Sequence, residues 1–483
     1  MNRRSFLKNG SMALGALAAS PLLLHPRTAR AGTMPKRLVL IYNWGAFDGL
    51  HLFPPKAGAD FDFLTTGEKP ARPALAVPQT DVLDVGDPRF GFHKKMAPLA
   101  DLYRTKEMAV IMGTGFRRNA ELTGIQGRSH FVQIGSITYG TPSSSTGTSV
   151  SRDGIVNRIL QRVVADAGRA SPFNGVAIQP SIPPFMGGPR PVIATNKFAS
   201  LSYRSPASKD RYNDPRGRRS FVFDFAASVE SLFKTADDAL LGGVLASLGI
   251  QARTINGYAA TLVRRESRDE LTALGYNVGD GLHQRLIEAA GALKADSSSA
   301  GRNEIQILSL LGMSGVDTHF NQVASAAPQS GGSGSLALTA ENFAKGLATF
   351  VTDLKAVPGL WEQTMVVVVT EFGRTIRQNG SNGTDHGRGS HMMVLGGGLR
   401  SAQKRFLKND LPLVEQDKLG LSDSERTSYP GNGRGMDLVI RYDLRSVISK
   451  VCERHLGISA TGLFENFSGA HDDEVADLRA LLG

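Results

Sequence analysis

The sequence predicts an α/β fold in which a mostly parallel central sheet is flanked by helices. Residues 364–370 form a continuous run of apolar and β-branched residues with no alternating polar position, which is typical of a strand covered on both faces. Residues 305–312 form a second such run, and the amphipathic segment 336–354 lies between the two. Strand, helix and strand in this order predict a βαβ unit.

The remaining elements follow the same periodicity arguments along the chain. Short apolar runs bounded by turn residues predict strands at 38–42, 108–112, 176–178, 191–194 and 392–395. Apolar residues at helical spacing predict helices at 96–102, 129–137, 155–165 and 443–456. Between residues 221 and 293 the pattern is helical with few strand signals, which predicts a helical insertion over residues 221–299. The α/β domain would then comprise residues 32–220 and 300–483.

The amino terminus has the features of a targeting segment. Residues 3–8 read RRSFLK, residues 12–24 are mildly apolar, and Ala-Arg-Ala at 29–31 offers a small-residue cleavage site. Paired arginines followed by Phe-Leu-Lys resemble a twin-arginine export signal, so residues 1–31 are interpreted as a signal peptide. The protein would then be periplasmic or secreted, with no stable membrane span after signal removal. A retained anchor is the alternative, although the apolar stretch is short for a bilayer.

Composition narrows the classes of function. The chain has 483 residues, of which 41% are hydrophobic and 20% charged, as in a soluble globular protein of one or two domains. Removing the five basic residues of the signal lowers the formal net charge from +11 to +6. The remaining basic residues are dispersed without the aromatic and basic patches of nucleic-acid binders, so we expect no nucleic-acid partner. Cys452 is the only cysteine, which excludes an intrachain disulfide and predicts a buried, inert thiol.

Acidic and imidazole side chains follow several of the predicted strands. Asp48 lies just past the first strand, Asp317 and His319 follow the strand at 305–312, and Glu371 directly follows residue 370. The polar loop after Glu371 carries three further candidates, namely Asp385, His386 and His391. Because α/β sheets build sites at the carboxyl ends of their strands, these groups are the predicted ligands of a divalent metal, zinc or manganese. The alternative is an Asp-Gly turn at residues 48–49 and an ordinary surface loop.

Two further side chains are predicted to have catalytic roles. Ser129 is predicted to stand at the start of a helix, where it is either a nucleophile activated by the helix terminus or a plain N-cap. Arg374 is predicted to hold a phosphoryl or sulfuryl oxygen, and Arg388 could do the same. Salt bridges within the loop are the alternative for both arginines.

The motifs together resemble a known family. They are Asp48-Gly49-Leu50, Arg128-Ser129-His130-Phe131, Asp317-Thr318-His319 with Gln322, the Thr-Glu-Phe-Gly-Arg-Thr run at 370–375 and the Gly-Thr-Asp-His-Gly run at 383–387. With the export signal, these motifs are similar to the exported bacterial family called domain of unknown function 1501. That family resembles a divergent branch of the alkaline phosphatase and sulfatase superfamily, which implies an alkaline-phosphatase-like α/β fold.

The superfamily pattern can be followed along this chain. It implies an acid after strand one at Asp48, a nucleophile at Ser129, an Asp/His pair at Asp317 and His319, an acid at Glu371, and a last histidine at His386 or His391. Glu371-Phe372 stands where the superfamily has Asp-His, which argues against a complete two-metal site. The Cys/Ser-x-Pro-x-Arg pattern of formylglycine sulfatases is absent.

The resemblance implies a periplasmic metal-dependent hydrolase acting on phosphate or related esters. Its substrate would be a small-molecule or polymer ester. The alternative is a non-catalytic exported protein that binds a ligand or another exported protein through a degenerate site.

Overall fold

The computed structural model describes residues 34–66, 70–116, 129–140, 153–167, 171–201, 210–213, 220–223, 255, 257–298, 301–323, 335–399, 406–407, 438, 440–464, 467 and 472–482. The strands are β1 (Arg37–Asn43), β2 (Val82–Leu83), β3 (Phe92–His93), β4 (Met108–Gly115), β5 (Gly175–Ile178), β6 (Ile193–Ala194), β7 (Asp210–Asn213), β8 (Ser220–Phe223), β9 (Ile307–Leu311), β10 (Thr364–Thr370), β11 (Ser390–Gly396), β12 (Phe406–Leu407) and β13 (Tyr442–Asp443). The helices are α1 (Gly49–Leu52), α2 (Ala59–Thr65), α3 (Ala97–Arg104), α4 (His130–Tyr139), α5 (Ile155–Ala167), α6 (Arg268–Ala273), α7 (Gly281–Ser297), α8 (Leu336–Lys355), α9 (Leu444–Val451) and α10 (Asp472–Leu482).

A nine-stranded mixed sheet forms the centre of the described residues. Its order is β12-β4-β11-β10-β1-β9-β5-β6, with β13 also paired to β4. β1 lies between β9 and β10 and is parallel to both, and β5 and β6 continue the parallel half beyond β9. β11 is antiparallel to β10 and to β4. The predicted mostly parallel α/β sheet is confirmed. The predicted βαβ unit consists of β9, α8 and β10, and its two strands lie on either side of β1.

Side chains of the central strands alternate between two cores, as the period of two in a strand requires. In β1, Val39 and Ile41 face one core together with residues of α3, α7 and α8. Leu38 and Leu40 face the other, together with residues of α5, α9 and α10. The sheet is therefore covered by helices on both faces, which explains why its strands read as unbroken apolar runs.

Helix α7 lies within the predicted helical insertion and packs into the first of these cores. β8 begins at residue 220 and pairs with β7 as a separate antiparallel hairpin. Residues 224–254 lie outside the described part of the chain, so the insertion and its boundaries stay a prediction. The predicted signal peptide also lies outside the described residues.

Several elements differ in length from their predictions. The strand expected at 191–194 is limited to Ile193–Ala194. The final helix is α-helical only to Val451 and continues as a π-helical turn, Cys452–Leu456. Asp443 caps it as predicted, its side chain accepting from the Arg445 N–H. Burial of Cys452 raises the pKa of its thiol to about 12, consistent with the predicted inert cysteine.

No helix among the described residues is long and apolar enough to cross a membrane.

Candidate metal centre

Three loops meet at one edge of the sheet because β10, β1 and β9 are adjacent and parallel. The loop after β9 brings Asp317 and His319, and the loop between β10 and β11 brings Arg374 and His386. Helix α4 adds His130, its first residue. The carboxyl ends of the three strands therefore supply most of the site, as expected for an α/β sheet.

His130, Asp317 and His386 form a potential metal-binding group in the described part of the chain. Each offers one ligand atom, and these atoms lie within 4.8 Å of one another. His130 Nε2 is 3.3 Å from Asp317 Oδ2, and His386 Nε2 is 3.2 Å from Asp317 Oδ1. His319 adjoins the group, with its Nε2 3.0 Å from His386 Nε2 and 3.1 Å from Asp317 Oδ1. Three imidazoles and one carboxylate thus converge.

This donor set fits a divalent transition metal such as zinc. Zinc binds histidine nitrogen and carboxylate oxygen at about 2.0–2.1 Å in tetrahedral geometry, which separates the ligand atoms by about 3.3 Å. Four contacts in the cluster, at 3.0 to 3.3 Å, match that separation, and the ligand atoms of the three-residue group all lie within 4.8 Å of one another. In addition, Nε2 of His130 is buried and lies 3.3 Å from Asp317 Oδ2, so this ring nitrogen points into the cluster, where a bound metal would take the place of its proton.

Arg374 is predicted to hold a substrate oxygen, but the structure places it in a different role. Its side chain is fully buried. Its guanidinium donates to the carbonyl oxygens of Ala46 at 2.6 Å, Gly45 at 2.7 Å and Thr384 at 3.1 Å, and to Asp317. With its donors used in this way, Arg374 joins the loops after β1, β9 and β10 and orients the Asp317 carboxylate.

Glu371 contacts a member of the cluster instead of joining it. Its buried Oε1 accepts from the Gly45 N–H at 2.8 Å and lies 2.6 Å from Nδ1 of His130. His130 therefore has its Nδ1 held by a carboxylate while its Nε2 faces the cluster. In metal sites this arrangement fixes the ring and increases the basicity of the ligating nitrogen.

The ionisable side chains of the cluster shift one another's pKa values. Burial would raise the pKa of Asp317, but hydrogen bonds from His130, His319 and His386 and the charge of Arg374 hold it well below its usual range. Burial would lower the pKa of His130, but hydrogen bonds to Asp317 and Glu371 raise it to about 9. The hydrogen bond to Asp317 raises the pKa of His319 as well. Without a metal, His130 therefore holds a proton at neutral pH that a bound ion would displace.

Asp48 is at the same edge but is engaged elsewhere. Its buried carboxylate forms a two-pronged ion pair with Arg72, at 2.6 and 3.1 Å, and accepts from Gln322 at 2.7 Å. Burial would raise the pKa of Asp48, but Arg72 keeps it below the ordinary value. The structure therefore gives Asp48 a supporting role under the loop that carries Asp317, in place of the predicted role of ligand.

The other predicted residues lie around the cluster. His391 is buried in β11, stacked on Phe53 with ring centroids 5.8 Å apart, and is not part of the metal-binding group. Asp385 holds Nδ1 of His319 at 3.2 Å, which suits a supporting residue. Ser129 directly precedes His130 and is the N-cap residue of α4, as the plain N-cap alternative has it, although its side chain makes no capping hydrogen bond. The catalytic role of Ser129 stays a prediction, as does that of Arg388.

His130 is the residue that sequence reasoning missed. It belongs to the Arg-Ser-His-Phe run at 128–131, in which only the serine was considered for chemistry. The sequence does carry a signal for His130. An imidazole in the first turn of a helix that follows a long loop can point in the same direction as the side chain of the N-cap residue, here Ser129.

Comparison with known proteins supports the family resemblance. The model of the family described as "Protein of unknown function (DUF1501)" matches residues 309–404, the stretch that holds Asp317, His319, Glu371, Arg374 and His386. No curated protein matches the chain significantly.

Two solved structures are similar at a low level. One is the C-terminal periplasmic domain of EcEptC from Escherichia coli in complex with Zn, with TM-score 0.32 and 10% identity over 92% of this chain and 95% of that one. The other is a protein in the alkaline phosphatase superfamily from Vibrio parahaemolyticus, with TM-score 0.27 and 14% identity over 82% and 69%. No inference about function follows from likenesses at these scores. The predicted similarity to the DUF1501 family is confirmed over residues 309–404.

Proposed function

We propose that the protein is an exported metal-dependent hydrolase of phosphate or related esters. The observation that carries the proposal is the convergence of His130, Asp317, His319 and His386, which come from three separate parts of the chain, at distances suited to zinc. Export rests on the amino-terminal sequence signal alone. The ester substrate is inferred from the family resemblance together with a partly exposed, histidine-rich site at the sheet edge.

Different residues of the chain would have different roles in such a site. A bound divalent ion would lower the pKa of an attacking oxygen and neutralise charge in the transition state. His130, Asp317 and His386 would hold it, with His319 beside them, while Glu371 and Arg374 fix the orientation of two of these ligands. The hydroxyl of Ser129, or a water molecule, would lose its proton as its oxygen attacks phosphorus, the bond from phosphorus to the leaving alcohol would break, and the alcohol would take up a proton. Where Ser129 attacks, a water molecule would then hydrolyse the phosphoserine, releasing phosphate and restoring the serine hydroxyl.

Metal analysis of the purified protein tests the proposal. We expect about one zinc or manganese per chain, and hydrolysis of generic phosphate esters that stops when a chelator is added and returns with metal. His386→Ala should lose most of the bound metal because it removes one of three converging ligands. Asp385→Asn, one residue earlier, should retain it, since Asp385 contacts His319 and lies outside the three-residue group.

The outcomes separate the two candidate functions. Metal that binds and is lost in His386→Ala, without turnover of phosphate or sulfate esters, would favour the non-catalytic binding protein. A folded protein that holds no metal and hydrolyses no ester would contradict the hydrolase. Circular dichroism of each variant should confirm that the fold is retained.

A further inference from the structure

Trp44 is an exposed aromatic residue placed against the metal cluster. It follows the last residue of β1, and 41% of its surface is open to solvent. Its indole stacks on the His130 ring with centroids 5.7 Å apart and an interplanar angle of 24°. Tyr42 meets it edge-on at 6.2 Å. The indole is therefore held in place beside a predicted metal ligand while much of it remains accessible.

Other exposed apolar residues concentrate at the same edge. Among the described residues, six large apolar side chains are exposed. Five of them lie at or after the carboxyl ends of β1, β9 and β5, which are adjacent strands, and these are Trp44, Leu311, Phe320, Val323 and Ile182. Only Leu274, at the end of α6, is elsewhere in the described chain. Because exposed apolar groups grouped together usually mark a binding site, the rim of the cluster is suited to an apolar group.

The combination of a charged centre and an apolar rim defines the chemistry of the ligand. The cluster would take the anionic part of an ester, and Trp44 is an exposed aromatic surface beside it, stacked on His130. We propose that Trp44 is a specificity-determining residue that packs on an aromatic group attached to the ester oxygen. The inference rests on the proposed function and names its substrate class. The stacking of two aromatic rings contributes more binding free energy than the burial of their surface area alone. An aryl group should therefore be favoured over a small alkyl group at this position.

Paired substrates test this selectivity. Benzyl phosphate and ethyl phosphate have leaving alcohols of similar acidity, so they differ mainly in the ring. We expect Trp44→Ala to lower kcat/KM for benzyl phosphate by about tenfold and that for ethyl phosphate by less than about twofold. Leu274→Ala is the matched control, because Leu274 is equally exposed, at 42%, but lies away from the cluster; it should change neither value. Equal losses for both substrates in Trp44→Ala would overturn the inference while leaving the hydrolase intact.

A binding measurement keeps the inference testable without turnover. The chain has two tryptophans, and the other, Trp361, is buried with its Nε1 donating to Glu107 at 2.7 Å. A change in tryptophan emission on adding a ligand therefore reports mainly Trp44. Benzylphosphonate should change the emission of the metal-loaded protein, Trp44→Phe should remove most of that signal, and ethylphosphonate should give a much weaker one. If this emission change is observed but no ester is hydrolysed, the proposal that Trp44 binds an aromatic group stands and the proposed hydrolase activity is contradicted. Equal affinity for both phosphonates would overturn the aromatic preference.

Discussion

At the level of single residues, the geometry of the cluster depends on how each imidazole is fixed. The ring nitrogen that faces away from the cluster is the one through which the ring is held. Glu371 binds Nδ1 of His130, and Asp385 binds Nδ1 of His319. The two carboxylates differ in burial, since Glu371 is buried and Asp385 is partly exposed. A buried carboxylate has no water to replace a lost partner, so Glu371 should matter more for the geometry of the site.

Glu371→Gln should weaken metal binding without abolishing it. The amide can still accept from Gly45 N–H and His130 Nδ1, but it is neutral and makes His130 a poorer donor. We expect the affinity for zinc to fall about 10–100-fold at unchanged stoichiometry. Competition with a chromophoric chelator measures this. If Glu371 were itself a ligand, as predicted from sequence, the variant would lose the metal at any practical concentration.

The roles of single residues were predictable only in part. Position after a strand made Asp317, His319 and His386 candidates, because that rule depends on local sequence, and the structure brings the three together. The partner of Asp48 was not identifiable, because Arg72 lies in a turn that carries no motif and meets Asp48 only through the folded chain. The same holds for Arg374, three of whose acceptors are backbone carbonyls, those of residues 45, 46 and 384. Backbone acceptors leave no trace in side-chain patterns.

At the level of elements, the loop between β10 and β11 is a tightly paired ribbon. Gly373 N–H donates to Arg388 O at 3.1 Å, and Gly387 N–H donates to Gly373 O at 2.7 Å. Arg374 and His386 face each other as a bridge within it. This pairing makes β11 return antiparallel to β10 and places His386 beside Arg374. The apolar runs predicted both strands, but Gly-, Asn- and Ser-rich sequence gave no indication that the loop pairs with itself.

Gly373→Ala should disrupt this ribbon. A Cβ at residue 373 would lie 1.8 Å from the carbonyl oxygen of Gly389, a backbone atom that cannot move alone. We expect a loss of stability of about 1–3 kcal/mol in urea denaturation, with weaker metal binding because His386 is displaced. Gly380→Ala is the matched control in the same loop, since nothing lies within 4 Å of its Cβ position. Equal stability of the two variants would contradict the described pairing.

At the level of the whole molecule, the described fold keeps several imidazoles neutral in its interior. Burial lowers the pKa of His93, His391 and His455 to about 4, and lowers that of His51 as well. His391 and His51 lie near the Asp48–Arg72 pair, beneath the site, whereas Nε2 of His455 donates to the carbonyl oxygen of Arg37. The pKa values of these buried imidazoles shift downwards. In the cluster the shift has the opposite direction, because carboxylates raise the pKa of His130 and His319.

The buried imidazoles predict a loss of stability in acid. A histidine with a pKa of about 4 in the fold and about 6.5 in the unfolded chain binds its proton only when unfolded between these values. The unfolded chain then holds more protons, so the free energy of unfolding falls as pH drops from 6.5 towards 4. His391 alone would contribute on the order of 3 kcal/mol to this loss.

His391→Phe should flatten that dependence. It removes the titrating group and keeps a ring against Phe53, so the unfolding temperature should fall less between pH 7 and pH 5 than in the unaltered protein, whatever its absolute value. His319→Gln, measured with chelator present, is a control of opposite sign, because the raised pKa of His319 stabilises the fold at low pH and its contribution is lost as pH rises. Its removal should steepen the loss in acid. An unchanged pH dependence in His391→Phe would mean that the pKa of His391 in the fold equals that in the unfolded chain, contrary to the effect of its burial.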